Sequence, residues 1–502
     1  MIHVKKPLKV LMLSHSSEIG GGAERSMLDL FDHWAKQGLI EPEFIIRHPV
    51  KNMAPELKKR GWKYHPVYYT NWSQRNLSRR AEDVFRNARE NTKAVQKIQE
   101  IIRKVKPDVV MTNTIVSPWA AIAAYFERVP HVWFVREYGD ADHRHIFEIG
   151  REKMFEDIGT MSDLVVTNSQ TLGRYVAEYI QNTSITTVYT PFDLNALEEK
   201  ASQSAPNPFV DDSSLKLVIT GRIAPSKGQH EAAKAVGELN RRGVNAELCV
   251  IGDAAEAGDD ERLKETIAHY GIEKKVHLVG HQPNPLAIVK YADIGIMPSH
   301  REAFGRVTFE YMSVGLPIVG ADSGATPELV EDGKNGYIYT LSSATSLASK
   351  LMKYAKDPTL IEKHGNYARK KTVAMMEGKY NADHLFQTMY DMLSDPSQLK
   401  NKHPLNYAEH WLNYPLIAQQ YIDESRVIAM SRLLYGRSRS AAKSLYLAGP
   451  TMAKRAVLPI TPKIPKKFRP AKMEAAYQKL QKEKQAKADH LKKLGINPHG
   501  KK

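Results

Sequence analysis

Hydrophobic positions along residues 1–395 form two alternating kinds of segment: short runs that are apolar at nearly every position, and longer stretches in which apolar residues recur at helical spacing. In the first half the short β-type runs are 8–14, 43–48, 108–113, 131–137, 164–169 and 186–190. In the second half they are 215–221, 246–253, 276–280, 294–299, 317–322 and 337–340. Several are apolar on both faces, as strands sandwiched between helices must be, so the pattern predicts an α/β protein with two parallel, doubly wound sheets. Residues 198–214, rich in Ser, Pro and Asp, read as the linker between the two halves. Ligands of such sheets bind beyond the carboxyl ends of the strands, which directs attention to the loops that follow each run.

Composition narrows this picture without changing it. At 502 residues, 42% hydrophobic and 25% charged, the chain has the balance of a globular protein and the length for two large domains. Its one cysteine, Cys249, lies in the apolar run 246–251, which excludes an intramolecular disulfide framework and fits a reducing compartment. The nearest approach to a membrane span, 109–126, is broken by Thr112, Asn113, Thr114, Ser117 and Pro118. Lys5 and Lys6 precede only a short apolar run, too short for a signal-peptide core, so a cytoplasmic protein is expected. Charge is uneven: residues 401–502 hold 21 Lys and Arg against 6 Asp and Glu, nearly the whole net charge of +16.

Three of the loops after strands carry candidate chemistry. The first is Glu18-Ile19-Gly20-Gly21-Gly22-Ala23-Glu24, followed by a helix to about Gln37. Its glycines allow close backbone approach and the opening N–H groups favour an anion, although it lacks the P-loop Lys and the GxGxxG spacing, and a plain tight turn would read the same way. The second runs from Arg222 through Pro225, Ser226, Lys227 and Gly228 to Gln229. Ser226 and Gln229 have capping-box spacing, which predicts a helix starting at Lys227, with Arg222 and Lys227 as two cations at its mouth and no carboxylate before Glu231. Such a pair suits a diphosphate; a solvated Lys and a surface Arg are the plainer alternative. The third runs from Ser299 to Glu310, with Glu302 on a loop and Glu310 on the helix after it, about 12 Å further along at about 1.5 Å per residue. That separation is too great for one acid/base pair but allows two ends of an extended ligand to be held by their hydroxyls, the alternative being a capping Glu302 and a solvent-facing Glu310.

Glu302 and Glu310 eight apart with Phe304 and Gly305 between them, Pro298 and Ser299 before, and Gly315-Leu316-Pro317, Gly324 and Glu328 after, resemble the GT-B glycosyltransferases of the GT4 type. Arg222, Pro225, Lys227 and Gly228 resemble that family's diphosphate segment, and Gly20 to Gly22 its amino-domain glycine loop; the likeness spans about residues 8–395 in family order. It implies two Rossmann-like domains facing across a cleft: an acceptor domain, 1–197, completed by a helix over 376–393 that crosses back to it, and a nucleotide-sugar domain, 215–375. It further implies transfer of a sugar from a nucleotide donor with retained anomeric configuration and no metal or other cofactor. Arg222 and Lys227 would neutralise the diphosphate, and Glu302 with the backbone around Phe304, Gly305, Arg306 and Val307 would hold the sugar and phosphate. Glu310 would take the ribose hydroxyls, and Gly21 and Gly22 would approach the donor.

Two departures bear on this. Where the family often has a His-Asp pair after the fifth amino-domain strand, this chain has Arg136-Glu137-Tyr138-Gly139-Asp140, so that Arg136 either meets the sugar or phosphate or pairs with Glu137 or Asp140. The usual double glycine is Gly324-Ala325, which alters the turn. Asp140 and Asp142 form a DxD beside His143 and His145, read here as a solvated loop and not a metal site.

Beyond residue 400 the alternation stops. Residues 426–447 read as a basic amphipathic helix, 463–469 as an extended basic segment between prolines, and 471–494 as a Lys-rich helix. The expectation is reversible docking on an anionic membrane surface, peripheral on the inner face of the plasma membrane; a helix wrapped on the enzyme's own surface is the alternative. Nucleic acid is disfavoured, because no stacking platform or reading motif accompanies the charge. The whole chain is expected to be a glycosyltransferase acting on a glycan or lipid-linked acceptor in cell-surface polysaccharide or glycoconjugate synthesis. A GT-B-fold nucleotide-sugar epimerase, a phosphorylase, or a noncatalytic partner subunit are the alternatives.

Overall fold

A computed structural model describes residues 4, 6–74, 81–143, 145–147 and 149–400. The expectations for 401–502 lie outside the described residues. Residues 4–74 and 86–400 belong to one compact unit. Its first sheet holds seven parallel strands in the order β3-β2-β1-β5-β6-β8-β9: Lys63–Val67, Ile40–Arg47, Leu8–Ser14, Val109–Asn113, His131–Val135, Leu164–Thr167 and Ser184–Thr187. The second holds six, β12-β11-β10-β13-β14-β15: Val276–Leu278, Ala246–Ile251, Leu215–Thr220, Ile294–Met297, Ile318–Ala321 and Gly336–Tyr339. Strands β4 (Ser73–Gln74) and β7 (Ile146–Phe147) form a separate antiparallel pair.

The strands read as apolar on both faces are buried throughout: β5, β6, β8, β11, β13 and β14 expose no residue. In both sheets the order turns around beside the first strand, between β1 and β5 and between β10 and β13. Crevices open at such switch points, and the glycine loop after β1 and the loops after β10 and β13 flank them.

Two expectations about the domain limits need correction. Residues 198–214 are not a free linker. Helix Leu194–Ser202, capped by the Asp193 side chain on the Ala196 amide at 3.0 Å, buries Leu197 in the carboxyl-domain core together with Tyr189 and Phe209. The amides of Val210 and Asp211 are then held by the Glu247 carboxylate at 2.9 and 3.1 Å. The chain therefore joins the carboxyl domain soon after β9. The return crossing is also not one helix: Thr359–Glu377 ends at Gly378, and Asn381, accepting from the His384 amide at 2.8 Å, caps a new helix Ala382–Ser394. Only this second helix enters the amino-domain core, through Leu385, Phe386 and Met389, and the Trp34 indole donates to the Ala382 carbonyl at 2.9 Å. Among the described residues no helix is long and apolar enough to cross a membrane.

Candidate active site

The segment after β10 does not start its helix at Lys227. Pro225–Lys227 is a short 3-10 turn, Gly228 follows at φ 73°, and the α-helix runs Gln229–Arg241. The capping box is absent because the Gln229 carboxamide turns back, accepting from the Ala224 amide at 3.3 Å and donating to the Arg222 carbonyl at 3.0 Å. Glycine is required at 228 twice over: the backbone is left-handed, and a Cβ would stand 2.4 Å from the Pro298 carbonyl oxygen. That close approach, with the His300 amide donating to the Ser226 carbonyl at 2.9 Å, seats the cationic loop against the loop after β13.

Arg222 is exposed at the strand end. Lys227 is not the isolated cation that local spacing suggested, since its ammonium forms an ion pair with Glu302. Two residues read as diphosphate and sugar ligands thus meet directly. Glu302 is held from behind as well: the Ala325 amide donates to its carbonyl at 2.8 Å, and a Cβ on Gly324, at φ 56°, would lie 2.4 Å from the same oxygen. Ala325 itself is ordinary right-handed backbone at φ −83°, so only the first position of this turn needs glycine and the Ala departure is accommodated.

Gly305, at φ 85°, begins helix Arg306–Ser313, which carries Glu310. Glu310 is half-buried, and burial pushes its carboxyl above the ordinary range against the pull of nearby Arg306. Phe304 is buried and stacks on Tyr189 with centroids 5.7 Å apart, and Val307 packs at the edge of the same core. Arg306 reaches the other domain: one guanidinium nitrogen lies 2.9 Å from both Ser26 Oγ and Asp29 Oδ2, and the group sits 4.5 Å above the Phe192 ring. The side chains of Phe304 and Arg306 are thereby engaged in holding the loop, while the amides of the helix start lack intrahelical acceptors.

On the amino-domain side the Gly21 amide donates to Glu24 Oε2 at 3.1 Å, and Glu24 Oε1 lies 2.8 Å from His15 Nε2. Burial pushes Glu24 up, but His15 and the backbone amides outweigh it and hold the carboxylate below its usual value. A Cβ on Gly22 would come 3.2 Å from Arg306 Cδ, so the glycine loop abuts the start of the carboxyl-domain helix.

Arg136 is buried, and neither pairing expected for it forms. Its Nε donates to Asn113 Oδ1 at 2.6 Å and its guanidinium lies 5.1 Å over Phe134. Glu137 instead accepts from the Ile115 amide at 2.9 Å, and Asp140 is bound to Arg151. Burial pushes Arg136 down to about 10, which leaves it cationic at neutral pH, and pushes Glu137 up to about 7. Asn113 also donates to the Ala23 carbonyl at 3.3 Å, tying Arg136 to the first turn of the glycine-loop helix. The DxD carboxylates face separate tasks: Asp142 accepts from the amides of Tyr138 and Gly139, both at 2.8 Å, while Asp140 holds Arg151.

Sequence reasoning left Glu328, Asn113 and Arg301 without roles. Glu328 bonds residues at the start of helix Gln170–Ala177 in the amino domain, and Arg301 stacks over Tyr138 at 5.2 Å. No local pattern marks either contact.

Two family descriptions match the chain: "Glycosyltransferase Family 4" over residues 20–196 and "Glycosyl transferases group 1" over 202–371. The chain is 24% identical over 236 residues to N-acetyl-alpha-D-glucosaminyl L-malate synthase of Bacillus anthracis, covering 47% of this chain and 61% of that protein. It is 26% identical over 201 residues to the capsular polysaccharide biosynthesis glycosyltransferase CapM of Staphylococcus aureus, covering 40% and 50%. It spans about half the length of these curated relatives. Anabaena Alr3699/HepE, solved in complex with UDP, superposes with a TM-score of 0.59 at 20% identity over 77% of this chain and all of that one. A glycosyltransferase from Rickettsia africae superposes at 0.61 and 17% identity over 79% of this chain, again along that protein's whole length. These two share its fold.

Proposed function

Because the chain belongs to the GT-B glycosyltransferases of the GT4 type, we propose that it transfers a sugar from a nucleotide-sugar donor to a glycan or lipid-linked acceptor, with retained anomeric configuration, in cell-surface polysaccharide or glycoconjugate synthesis. The observation that carries this reading is the meeting of Lys227 and Glu302 in the cleft, 75 residues apart in sequence, with the exposed Arg222 on the Lys227 loop and Glu310 on the helix that follows Glu302. A uridine diphosphate donor accords with the HepE complex, and a polysaccharide product with the name of CapM.

The chemistry follows from charge. As the bond between the anomeric carbon and the diphosphate breaks, negative charge grows on the leaving group, and fixed cations facing that charge lower the barrier. Arg222 and Lys227 supply them, with the open amides at the start of helix Arg306–Ser313 behind. The diphosphate competes with Glu302 for Lys227, and the Glu302 carboxylate accepts from a sugar hydroxyl. Glu310 accepts from the ribose hydroxyls. Arg136 and the Gly21–Gly22 turn face the donor from the amino domain, where the acceptor enters. With its cations in place this arrangement needs no metal to carry the leaving charge.

Incubating the full chain with a panel of nucleotide sugars, with and without candidate acceptors, tests the reading. Acceptor-dependent release of nucleotide diphosphate and a product of unchanged anomeric configuration by NMR support it. Acceptor-independent conversion of the nucleotide sugar would make the protein an epimerase, and binding without any turnover a noncatalytic partner. Residues 401–502 complete the proposal as a reversible anchor on an anionic membrane, where each basic residue near the surface contributes about 1 kcal/mol.

A further inference from the structure

Glu328 stands in the carboxyl domain, on the short helix Thr326–Leu329, yet most of its partners lie across the domain boundary. Its Oε1 accepts from the Gln170 amide at 3.0 Å and the Tyr189 hydroxyl at 2.7 Å; its Oε2 accepts from the Thr171 amide and hydroxyl, both at 3.0 Å. Gln170 and Thr171 open helix Gln170–Ala177, whose first amides have no intrahelical acceptor. The helix's own cap, Ser169, serves only the Leu172 amide, at 3.0 Å. A carboxylate from the other domain completes the cap, at the end of the helix dipole that favours negative charge.

The same segment grips the loop that contains Glu302. Ala325 bonds the Glu302 carbonyl, Gly324 packs against the Glu302 backbone too closely for any side chain, and the Ser323 hydroxyl donates to the His300 carbonyl. Tyr189, one of the four donors to Glu328, stacks on Phe304 from that loop. A chain of short contacts therefore runs from the amino-domain helix through Glu328 and Tyr189 to both ends of the 300–304 loop.

We propose that Glu328 is a positioning residue for sugar transfer, a latch that sets the 299–305 loop and the orientation of the amino domain together. The catalytic part of this inference rests on the reading of 299–305 as the donor-sugar loop given above. Without the carboxylate, the helix loses half of its cap, the two domains lose a three-bond tie through Gln170 and Thr171, and the loop loses the support it receives through Tyr189. Binding of the nucleotide portion, which depends on Arg222, Lys227 and Glu310, should persist.

Two measurements on full-length Glu328→Ala and Glu328→Gln test this. In amide hydrogen exchange, peptides covering 170–172 and 299–306 should both exchange at least tenfold faster than in the wild type, while one covering β10 is unchanged. In kinetics, kcat should fall at least tenfold while the calorimetric affinity for UDP stays within threefold. Tyr189→Phe should give a smaller loss in the same direction, and adding it to Glu328→Gln should cost less than it does alone, because its bond to the carboxylate is shared and only the bond it accepts from Gln170 Nε2 at 3.0 Å is independent. Unchanged exchange in 299–306, or equal losses in UDP affinity and kcat, would overturn the latch. If Glu328→Ala does not fold, Glu328→Gln and Tyr189→Phe carry the same measurements. Should the wild type neither bind nor turn over any nucleotide sugar, the functional reading fails, while the exchange experiment still decides whether Glu328 joins the loop to the amino domain.

Discussion

Replacing Glu137 by Gln should stabilise the amino domain by about 3 kcal/mol at pH 8 and by only about 1 kcal/mol at pH 5. Glu137 is 6% exposed and accepts from the Ile115 amide at 2.9 Å. Burial raises its carboxyl from 4.5 to about 7, against the opposing pull of that amide and of His15. At about 1.4 kcal/mol per tenfold change in proton affinity, the gap corresponds to about 3 kcal/mol. The sign follows from proton binding. Between pH 4.5 and 7 the folded chain keeps a proton that the unfolded chain has released, so the stability this residue contributes is complete below 4.5 and is lost as pH rises through about 7. Above that, the folded protein carries a buried carboxylate it disfavours. Glutamine keeps an oxygen for Ile115, never ionises, and escapes the penalty. Urea denaturation followed by tryptophan fluorescence is the suitable assay, because Trp34, Trp62, Trp72, Trp119 and Trp133 all lie in the amino domain and only Trp411 lies elsewhere. A difference between variant and wild type that is the same at pH 5 and pH 8, within about 0.5 kcal/mol, would refute the argument.

Lys227→Ala and Arg222→Ala should each cost on the order of 2 to 4 kcal/mol of transition-state stabilisation in steady-state turnover while leaving the fold intact; wild-type activity in Lys227→Ala would remove the diphosphate assignment. Glu310→Ala should weaken both the nucleotide sugar and the free nucleotide diphosphate in calorimetry, whereas Glu302→Ala should spare the free nucleotide; equal losses would show that the division between sugar and ribose is wrong. Gly228→Ala forces a side chain into left-handed backbone 2.4 Å from the Pro298 carbonyl, so thermal denaturation should show a loss of roughly 2 kcal/mol or more together with weaker UDP binding. Deleting 401–502 should abolish sedimentation with anionic liposomes, which salt should also reverse because screening acts over roughly 10 Å at 0.1 M, and should leave nucleotide binding intact. A full-length chain that ignores such liposomes at low salt would refute the anchor.

What the sequence determined by itself was local and periodic. Strands such as β5, β6, β11 and β13 were legible because a strand covered on both faces is apolar at nearly every position, and these runs are short and bounded by turn residues. The candidate loops stood out in the sequence because parallel sheets put their ligand loops after strands, and because Arg222, Lys227, Glu302 and Glu310 keep a recognisable spacing. Elements with one exposed face escaped: β3, with Pro66 at the sheet edge, and the two-residue strands β4 and β7 carry too few apolar positions to show a period. The capping box at Ser226 was a correct local pattern overruled by packing, since the close seat of Gly228 on Pro298 sets that turn. The packing of 198–214 was hidden for a related reason: composition registers its polar residues, whereas Leu197 and Phe209 anchor the segment in the carboxyl-domain core. Only the tertiary structure could decide the pairings. Lys227 meets Glu302 across 75 residues, Gln170 meets Glu328 across 158 and Arg306 meets Asp29 across 277. Such contacts leave no trace in neighbouring residues: the first forms where the adjacent strands β10 and β13 of one sheet bring their end loops together, and the other two where loops and helices of the two domains meet.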